Sequence, residues 1–348
     1  MEIYIPEYYN SFKCIAEKCR DNCCIGWGID IDESSLEKYK NLEGSEGERI
    51  RSTIDFTDGA SFICDGQGRC KNLDERGLCR IISALGEGYL CQICRDHPRY
   101  FNCDFGRCEG GLGLACEEAA RIIFSLDHLP KMVEIESDDM EYLSDDEECR
   151  FAFSARDFLL ELAFDASLSA EDKIQRLMSL SCLADELLFD INCGIREDTD
   201  KAKEMLMENP ASPLDIADFV ESSLGLFYDL DLLSEDYGTQ LSASLTAAKK
   251  NPEKFIAYLD ACGKSYFIRL SYYFIHRYFL SAEGQLQHNM HLALSLALAT
   301  AAMIFRSESQ DLISATTTAK DFSKNIEYST ENINRLAGRI EEMSINLT

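Results

Sequence analysis

The sequence predicts a mainly α chain: an irregular, cysteine-rich N-terminal domain, built around a metal ion or iron–sulfur cluster, packed on a helical C-terminal body. Three observations predict it. Twelve of the 16 cysteines precede residue 117. Ten glycines between positions 59 and 113 cut that same stretch into turns. From Phe151 onward apolar residues recur at helical spacing and proline is scarce, which suits a bundle-like body. The division expected is 1–130 for the cysteine-rich domain, 131–150 for an acidic connector and 151–348 for the helical domain.

Taken in order, the first domain should hold short helices at Glu33–Tyr39, behind Asp32, and at Glu117–Leu126. With so little regular structure it lacks cross-links that a metal can supply. The run from Glu134 to Glu148 reads as an exposed acidic connector. Beyond it, Ser154 is positioned to cap a helix bearing Phe158, Leu159, Leu162 and Ala163, and Ser169 one bearing Ile174, Leu177, Met178 and Leu180. Pro213 after Ser212 marks a further helix start. Helices then follow at Pro252–Ala261, Tyr266–Leu280, His291–Phe305 and Ile313–Leu336. The most apolar stretch, Leu292–Phe305, is short for a bilayer and carries Ser295 and Thr300, so it reads as a buried helix and no membrane partner is expected.

The net charge of −28 argues against a nucleic-acid partner and favours a cationic or lysine-bearing one. The opening Met1-Glu2-Ile3-Tyr4-Ile5-Pro6-Glu7 lacks a basic region and apolar core of the secretory kind, and the expectation is a cytoplasmic protein. In a reducing compartment dense thiols predict metal ligation and not a disulfide framework.

The cysteines fall into groups: Cys14-x4-Cys19-x3-Cys23-Cys24, then Cys64-x5-Cys70-x8-Cys79, then Cys91-x2-Cys94, with Cys103, Cys108 and Cys116 trailing. A Cys-x2-Cys step lets two thiolates reach one ion, and separate groups close the site. Four thiolates also hold an iron–sulfur cluster, so spacing leaves zinc and [4Fe–4S] both open. The candidate ligands are Cys19, Cys23, Cys24, Cys70, Cys79, Cys91, Cys94 and Cys116. The thiols are too many for one mononuclear site, so either two sites exist or several only pack. Adjacent side chains diverge in helix and strand, which predicts that Cys23 and Cys24 do not point at one ion: one is a ligand and the other lies in a second shell or a second site. Cys149, Cys182, Cys193 and Cys262 read as small core residues.

Cys19-Arg20-Asp21-Asn22-Cys23-Cys24-Ile25-Gly26-Trp27, with Ile29-Asp30-Ile31-Asp32, resembles the opening of the flagellin lysine-N-methylase family. The likeness continues through Cys70-Lys71-Asn72-Leu73, Gly77-Leu78-Cys79 and Leu90-Cys91-Gln92-Ile93-Cys94-Arg95-Asp96-His97-Pro98-Arg99 to Leu112-Gly113-Leu114-Ala115-Cys116-Glu117-Glu118-Ala119-Ala120-Arg121. It covers roughly residues 5–125, and its cysteines also resemble a broader zinc- or iron-chelating family. Three positions depart from the pattern: Glu327-Tyr328-Ser329, where the family carries Glu-His-Ser, Glu117 in place of a proline, and Gly110-Gly111. The resemblance implies methyl transfer from S-adenosylmethionine to flagellin lysines by a protein with a [4Fe–4S] cluster. The radical-type spacing Cys-x3-Cys-x2-Cys is begun by Cys19 and Cys23, but Gly26 occupies its last position. Two other readings stand beside it: a non-catalytic zinc- or iron-binding protein, and an iron–sulfur redox or radical enzyme acting elsewhere.

Methyl transfer to an amine needs the amine neutral and a place for a sulfonium cation. Glu109 and Glu118 are the carboxylates available as a base, although Glu118 and Arg121 read more simply as an intrahelical pair. Trp27, the single tryptophan, together with Arg95 and Arg99, stands beside the cysteines as a cofactor-binding candidate. The five histidines show no ligand spacing beyond the His288/His291 step, which reads as a helix face. The aromatic stripe Tyr266, Phe267, Leu270, Tyr273, Phe274 and Phe279 reads as core that could also line a methyl-donor pocket.

Overall fold

The computed structural model describes residues 3–26, 28–104, 107–135, 147–196, 198–261, 266–281 and 285–345. It is mainly helical, with two small sheets. The chain falls into two compact units. One comprises Phe12–Tyr100 with Leu112–Ala119; the other comprises Met1–Ser11, Phe101–Gly111 and Ala120–Thr348. Residues 1–11, 101–111 and 120–130 of the cysteine-rich stretch therefore belong to the helical unit.

The smaller unit has a hydrophobic core of its own, formed by Ile29, Ile31, Tyr39, Ile50, Ile54, Phe62, Ile81 and Leu90 together with Cys70 and Cys91. A three-stranded sheet in the order β2 (Ile29–Asp30), β4 (Ser61–Phe62), β3 (Ile54–Asp55) supplies part of it. Helix α1 (Glu33–Asn41) begins where predicted, because the Asp32 carboxylate accepts the Ser35 N–H at 2.9 Å. Its last carbonyls, Tyr39 and Leu42, accept from Arg51 Nη1 at 2.8 Å each, at the end of α2 (Gly44–Arg51). Gly47 lies so near Leu42 that a Cβ there would stand 1.9 Å from its carbonyl oxygen, so only glycine permits this approach. Three short helices complete the unit: α3 (Arg80–Leu85), α4 (Gln92–Asp96) and the start of α5 (Glu117–Phe124).

The larger unit contains a four-stranded sheet that periodicity did not predict. Its order is β5 (Arg99–Asp104), β6 (Arg107–Leu112), β1 (Ile3–Pro6), β7 (Met132–Ile135). β1 pairs in parallel with β6 and antiparallel with β7. The predicted acidic connector thus begins as a strand, 136–146 lie outside the described residues, and Glu147 and Glu148 open the long helix α6 (Glu147–Phe164), where acidic residues favour the helix dipole. Next come α7 (Ala170–Asn192), capped by Ser169 as predicted, and α8 (Thr199–Glu208). Helix α9 (Ile216–Gly225) starts at the Asp215 cap and not at Pro213. It is followed by α10 (Glu235–Lys250), α11 (Pro252–Leu259) and α12 (Phe267–Tyr278).

Helix α13 (Leu286–Arg306) is the axis of this unit, packed against α7, α9, α10 and α12. At 21 residues it is long enough to cross a bilayer, which corrects the argument from length; its apolar window is 83% buried within the protein, as a core helix requires. The helix predicted for Ile313–Leu336 is two helices, α14 (Leu312–Phe322) and α15 (Thr330–Ile345), separated by a π turn at Ser323–Glu327. The turn places the buried Glu327 carboxylate on the Ser323 and Tyr273 hydroxyls, both at 2.5 Å, and on Arg277 at 3.0 Å.

Candidate functional site

Asn22 organises the first thiol pair. Its Oδ1 accepts the Cys24 N–H at 2.9 Å, and its Nδ2 donates to the Gly77 carbonyl at 2.5 Å. Gly77 has φ +79°, a conformation that favours glycine, and stands two residues before Cys79. The Cys70 N–H donates to the Cys24 carbonyl at 3.0 Å. Cys23 and Cys24 therefore occupy a turn, and their sulfurs lie 4.0 Å apart. That is close to the edge of a tetrahedral site with metal–sulfur bonds of 2.3 Å, about 3.8 Å. The expected divergence of adjacent side chains does not hold in this turn.

Cys79, Cys91 and Cys116 each stand immediately before a short helix. Main-chain N–H groups of the first turn pull each thiol down against its burial: those of Ile82 and Ile81 at Cys79, Cys94 at Cys91, and Ala119 and Glu118 at Cys116. Such donors favour a thiolate. Asp32 holds the Cys91-x2-Cys94 segment in place, since its Oδ2 accepts the Gln92 N–H at 2.8 Å. Burial pushes the Asp32 carboxyl up, but the N–H groups of Gln92 and Ser35 and the Ser34 hydroxyl outweigh it and hold the group far below the carboxylate range.

The sulfurs oppose one another's ionisation. The Cys24 thiol is pushed far up by its hydrogen bond to Cys23, by burial, and by the charges of Cys23, Cys94 and Cys79. Cys91 and Cys94 share a proton: the hydrogen bond from Cys94 lowers Cys91, and the same bond, with burial and the charges of Cys91, Cys79 and Cys23, holds Cys94 far up. Burial raises Cys79, helped by Cys23, and pushes Cys116 up to about 12, helped by Cys19 and Cys23. Cys19 is raised by burial and by Glu117, whose Oε2 lies 3.8 Å from its sulfur. Cys70 is raised by burial, with Cys64 and Cys79 adding to it, while Asn72 donates to it. The eight thiols selected from the sequence are thus linked through mutual charge, with Cys23, Cys24, Cys79, Cys91 and Cys94 at the centre. Among the described residues no group of three or more His, Cys, Asp or Glu side chains is closed tightly enough to hold an ion as it stands. The donor chemistry nevertheless fits a thiolate-bound cation: soft ligands, three of them at the starts of helices, and repulsion that a cation would relieve.

The other expected residues lie elsewhere or act differently. Trp27 is outside the described residues. Arg95 is half exposed, 3.8 Å from Asp96, and Arg99 lies over the Phe12 ring at 5.1 Å. Glu117, not singled out beforehand as a partner, binds Arg20 through Nη2 at 2.8 Å and Nε at 2.9 Å. Glu118 is partly exposed on α5.

Glu109 is 4% exposed, bound by Arg156 and by Arg107 at 2.8 Å, with His276 at 3.7 Å. Burial alone would raise its carboxyl; the Arg156 charge and hydrogen bonds, then His276 and Arg107, hold it at about 2. A permanently ionised, enclosed carboxylate is a poor general base, which corrects that expectation. The aromatic stripe is core: Tyr266, Phe267, Leu270, Tyr273, Phe274 and Phe279 are all buried. The cavity beside Tyr266 and Phe267 measures about 120 Å³, below the roughly 300–1,000 Å³ of small-molecule sites. Cys149 is buried as expected, whereas Cys193 is exposed at the end of α7. Cys103 and Cys108 form a disulfide, which the expectation of thiols alone did not include.

Neither a family model nor a solved structure matches the chain significantly. Among curated proteins it is 29% identical over 130 residues to the lysine-N-methylases of Salmonella typhimurium strain LT2 and Salmonella choleraesuis strain SC-B67. It is 28% identical over 130 residues to the flagellar biosynthetic protein FliU of Salmonella muenchen. Each match takes in 34% of this chain; it covers 32% of the two methylases and 75% of FliU. The chain thus spans about a third of the length of the lysine-N-methylases it matches. Over that third the resemblance to the flagellin lysine-N-methylase family, expected from the cysteine-bearing strings, holds.

Proposed function

We propose that this chain is a cytoplasmic protein lysine N-methyltransferase that moves a methyl group from S-adenosylmethionine to flagellin lysines and carries a [4Fe–4S] cluster. The observation that carries this reading is the 29% identity over 130 residues to lysine-N-methylases. The name of the FliU relative supports a flagellar protein as substrate. The net charge of −28 suits a lysine-bearing partner.

Cys79, Cys91 and Cys94, with Cys23 or Cys24, would hold the cluster, and Cys19 and Cys116 stand next to them through Cys23. When bound, an iron–sulfur cluster supplies one-electron chemistry. Cys79 and Cys91 stand at the N-terminal ends of α3 and α4, and Asn22 and Asp32 fix the segments that bear them. The lysine amine must lose its proton before it accepts a methyl group. Glu109 does not take that proton; Glu118, partly exposed, remains the candidate carboxylate.

Anaerobic purification followed by iron analysis and incubation with S-adenosylmethionine and flagellin tests the reading. A brown protein with about four irons, and flagellin heavier by whole methyl groups, are the expected results. Colourless protein with stoichiometric zinc would replace the cluster by a structural metal. Unchanged flagellin mass with the cluster loaded would remove methyl transfer.

A further inference from the structure

Lys173 is an enclosed cation without a counter-ion. It stands near the start of α7, 3% exposed, and its ammonium donates to the Asp165 and Leu168 carbonyls. Those neutral oxygens take two of its three protons. Asp165, Asp260 and Asp172 act on it only from a distance, because each is engaged elsewhere. The Ser167 and Ser169 hydroxyls donate to Asp165 and Asp172 at 2.7 Å, and the Ala170 N–H donates to Asp260 at 2.6 Å. Burial pulls the Lys173 amine below its ordinary value, against those three charges. A lysine so enclosed is rare unless it is paired.

Lys173 lines the cavity of about 120 Å³ within the helical unit, together with Arg269, Asp260, Leu168, Leu259 and Phe267. Arg269 donates through Nε to the Leu126 carbonyl at 2.9 Å, and among the described residues it too has no ion pair. Two cations thus meet one cavity with no carboxylate bound to either, in a chain whose net charge is −28. The cavity lies at the start of α12, where Tyr266 gives no side-chain cap, so the positive end of that helix adds to the field. An apolar cavity of about 150 Å³ accommodates benzene, so this one suits a ligand of about five heavy atoms. Leu168, Leu259 and Phe267 make part of its lining apolar.

We propose that this cavity binds a short aliphatic monocarboxylate of the size of propionate, held by Lys173 and Arg269, independently of methyl transfer. The carboxylate supplies the counter-ion that both cations lack, through charge-assisted hydrogen bonds. The alkyl end lies against Leu168, Leu259 and Phe267, which favours it over a wholly polar anion such as inorganic phosphate. Asp260 stays on the Ala170 N–H and sets a limit on charge: a dicarboxylate would bring a second negative group towards it.

Sodium propionate is titrated into the full chain at constant ionic strength, balanced with sodium chloride, and saturation transfer from protein to the propionate protons is followed by NMR. Transfer should rise to a plateau, and butyrate should displace propionate where phosphate and succinate do not. R269Q should weaken binding about tenfold. A166W, at an exposed residue that also lines the cavity, should block it by bulk while every charge remains. Circular dichroism and the urea midpoint establish that both variants are folded, and Lys173 is left intact because its two carbonyl bonds also hold the turn before α7. Three results overturn the proposal: transfer that never saturates, wild-type affinity in folded R269Q or A166W, or displacement by phosphate as effective as that by butyrate.

Discussion

At the scale of single residues, the buried charges of the helical unit and the thiols of the smaller unit make opposite demands. Glu109 and Arg156 compensate each other almost completely out of water, with side chains 5% and 2% exposed. Removing one partner strands the other, and Glu109→Gln is expected to cost about 3–5 kcal/mol, read as a lower urea midpoint. Because the folded Glu109 carboxyl is depressed from 4.5 to about 2, its contribution is complete above about pH 4.5 and is lost as pH falls towards 2. The thiols, by contrast, are uncompensated among themselves. Cys79→Ser and Cys94→Ser should therefore lose most bound iron, whereas Cys64→Ser, at the edge of the set, should retain it. Asn22→Ala removes the link between the Cys23–Cys24 turn and Gly77, and iron retention should fall with all ligands still present. Full iron loading of Asn22→Ala would show that the turn is positioned by something else.

At the scale of elements, a buried and a half-buried histidine set a pH window for the helical unit. Burial depresses His276 on α12 from 6.5 to about 4, with the Arg156 and Arg107 charges adding to it against Glu109 and Asp157. Burial, with a small contribution from His288, does the same to His291 on α13, again to about 4. The unfolded chain binds these protons first as pH falls, so the stability is whole above about pH 6.5 and is lost towards pH 4. A shift of this size corresponds to roughly 3 kcal/mol per group as an upper bound. Urea midpoints measured between pH 7 and pH 4.5 should decline; His291→Phe, which packs against Phe219 in the same place, should flatten part of that decline.

The same scale shows what the sequence made legible. α1, α7 and α11 were readable because local signals mark them: Asp32 and Ser169 as caps, Pro252 at a first turn. β1 was not, because its pairing depends on β6 and β7 more than a hundred residues away and leaves no period in four residues. The break between α14 and α15 was hidden too, since Glu327 is accommodated by Tyr273 and Arg277 on another helix. For the candidate site, spacing singled out thiols that the fold gathers into the smaller unit. Glu109 looked available as a base because Arg156 and His276, which enclose it, are remote in sequence.

For the whole molecule the dominant quantity is the charge of −28. Like charges repel in the compact state more than in the expanded one, so the acidic surface opposes folding. Raising the ionic strength from about 0.01 M to about 0.15 M shortens the Debye length from about 30 Å to about 8 Å. That removes most repulsion between exposed carboxylates and leaves enclosed pairs such as Glu109–Arg156 nearly untouched. The urea midpoint should therefore rise with sodium chloride over this range. Association with a lysine-bearing partner depends on the same field with the opposite sign, and its on-rate should fall as the midpoint rises. Stability and binding that moved together with salt would mean that the acidic surface governs neither, and the charge argument for a lysine-bearing substrate would go with it.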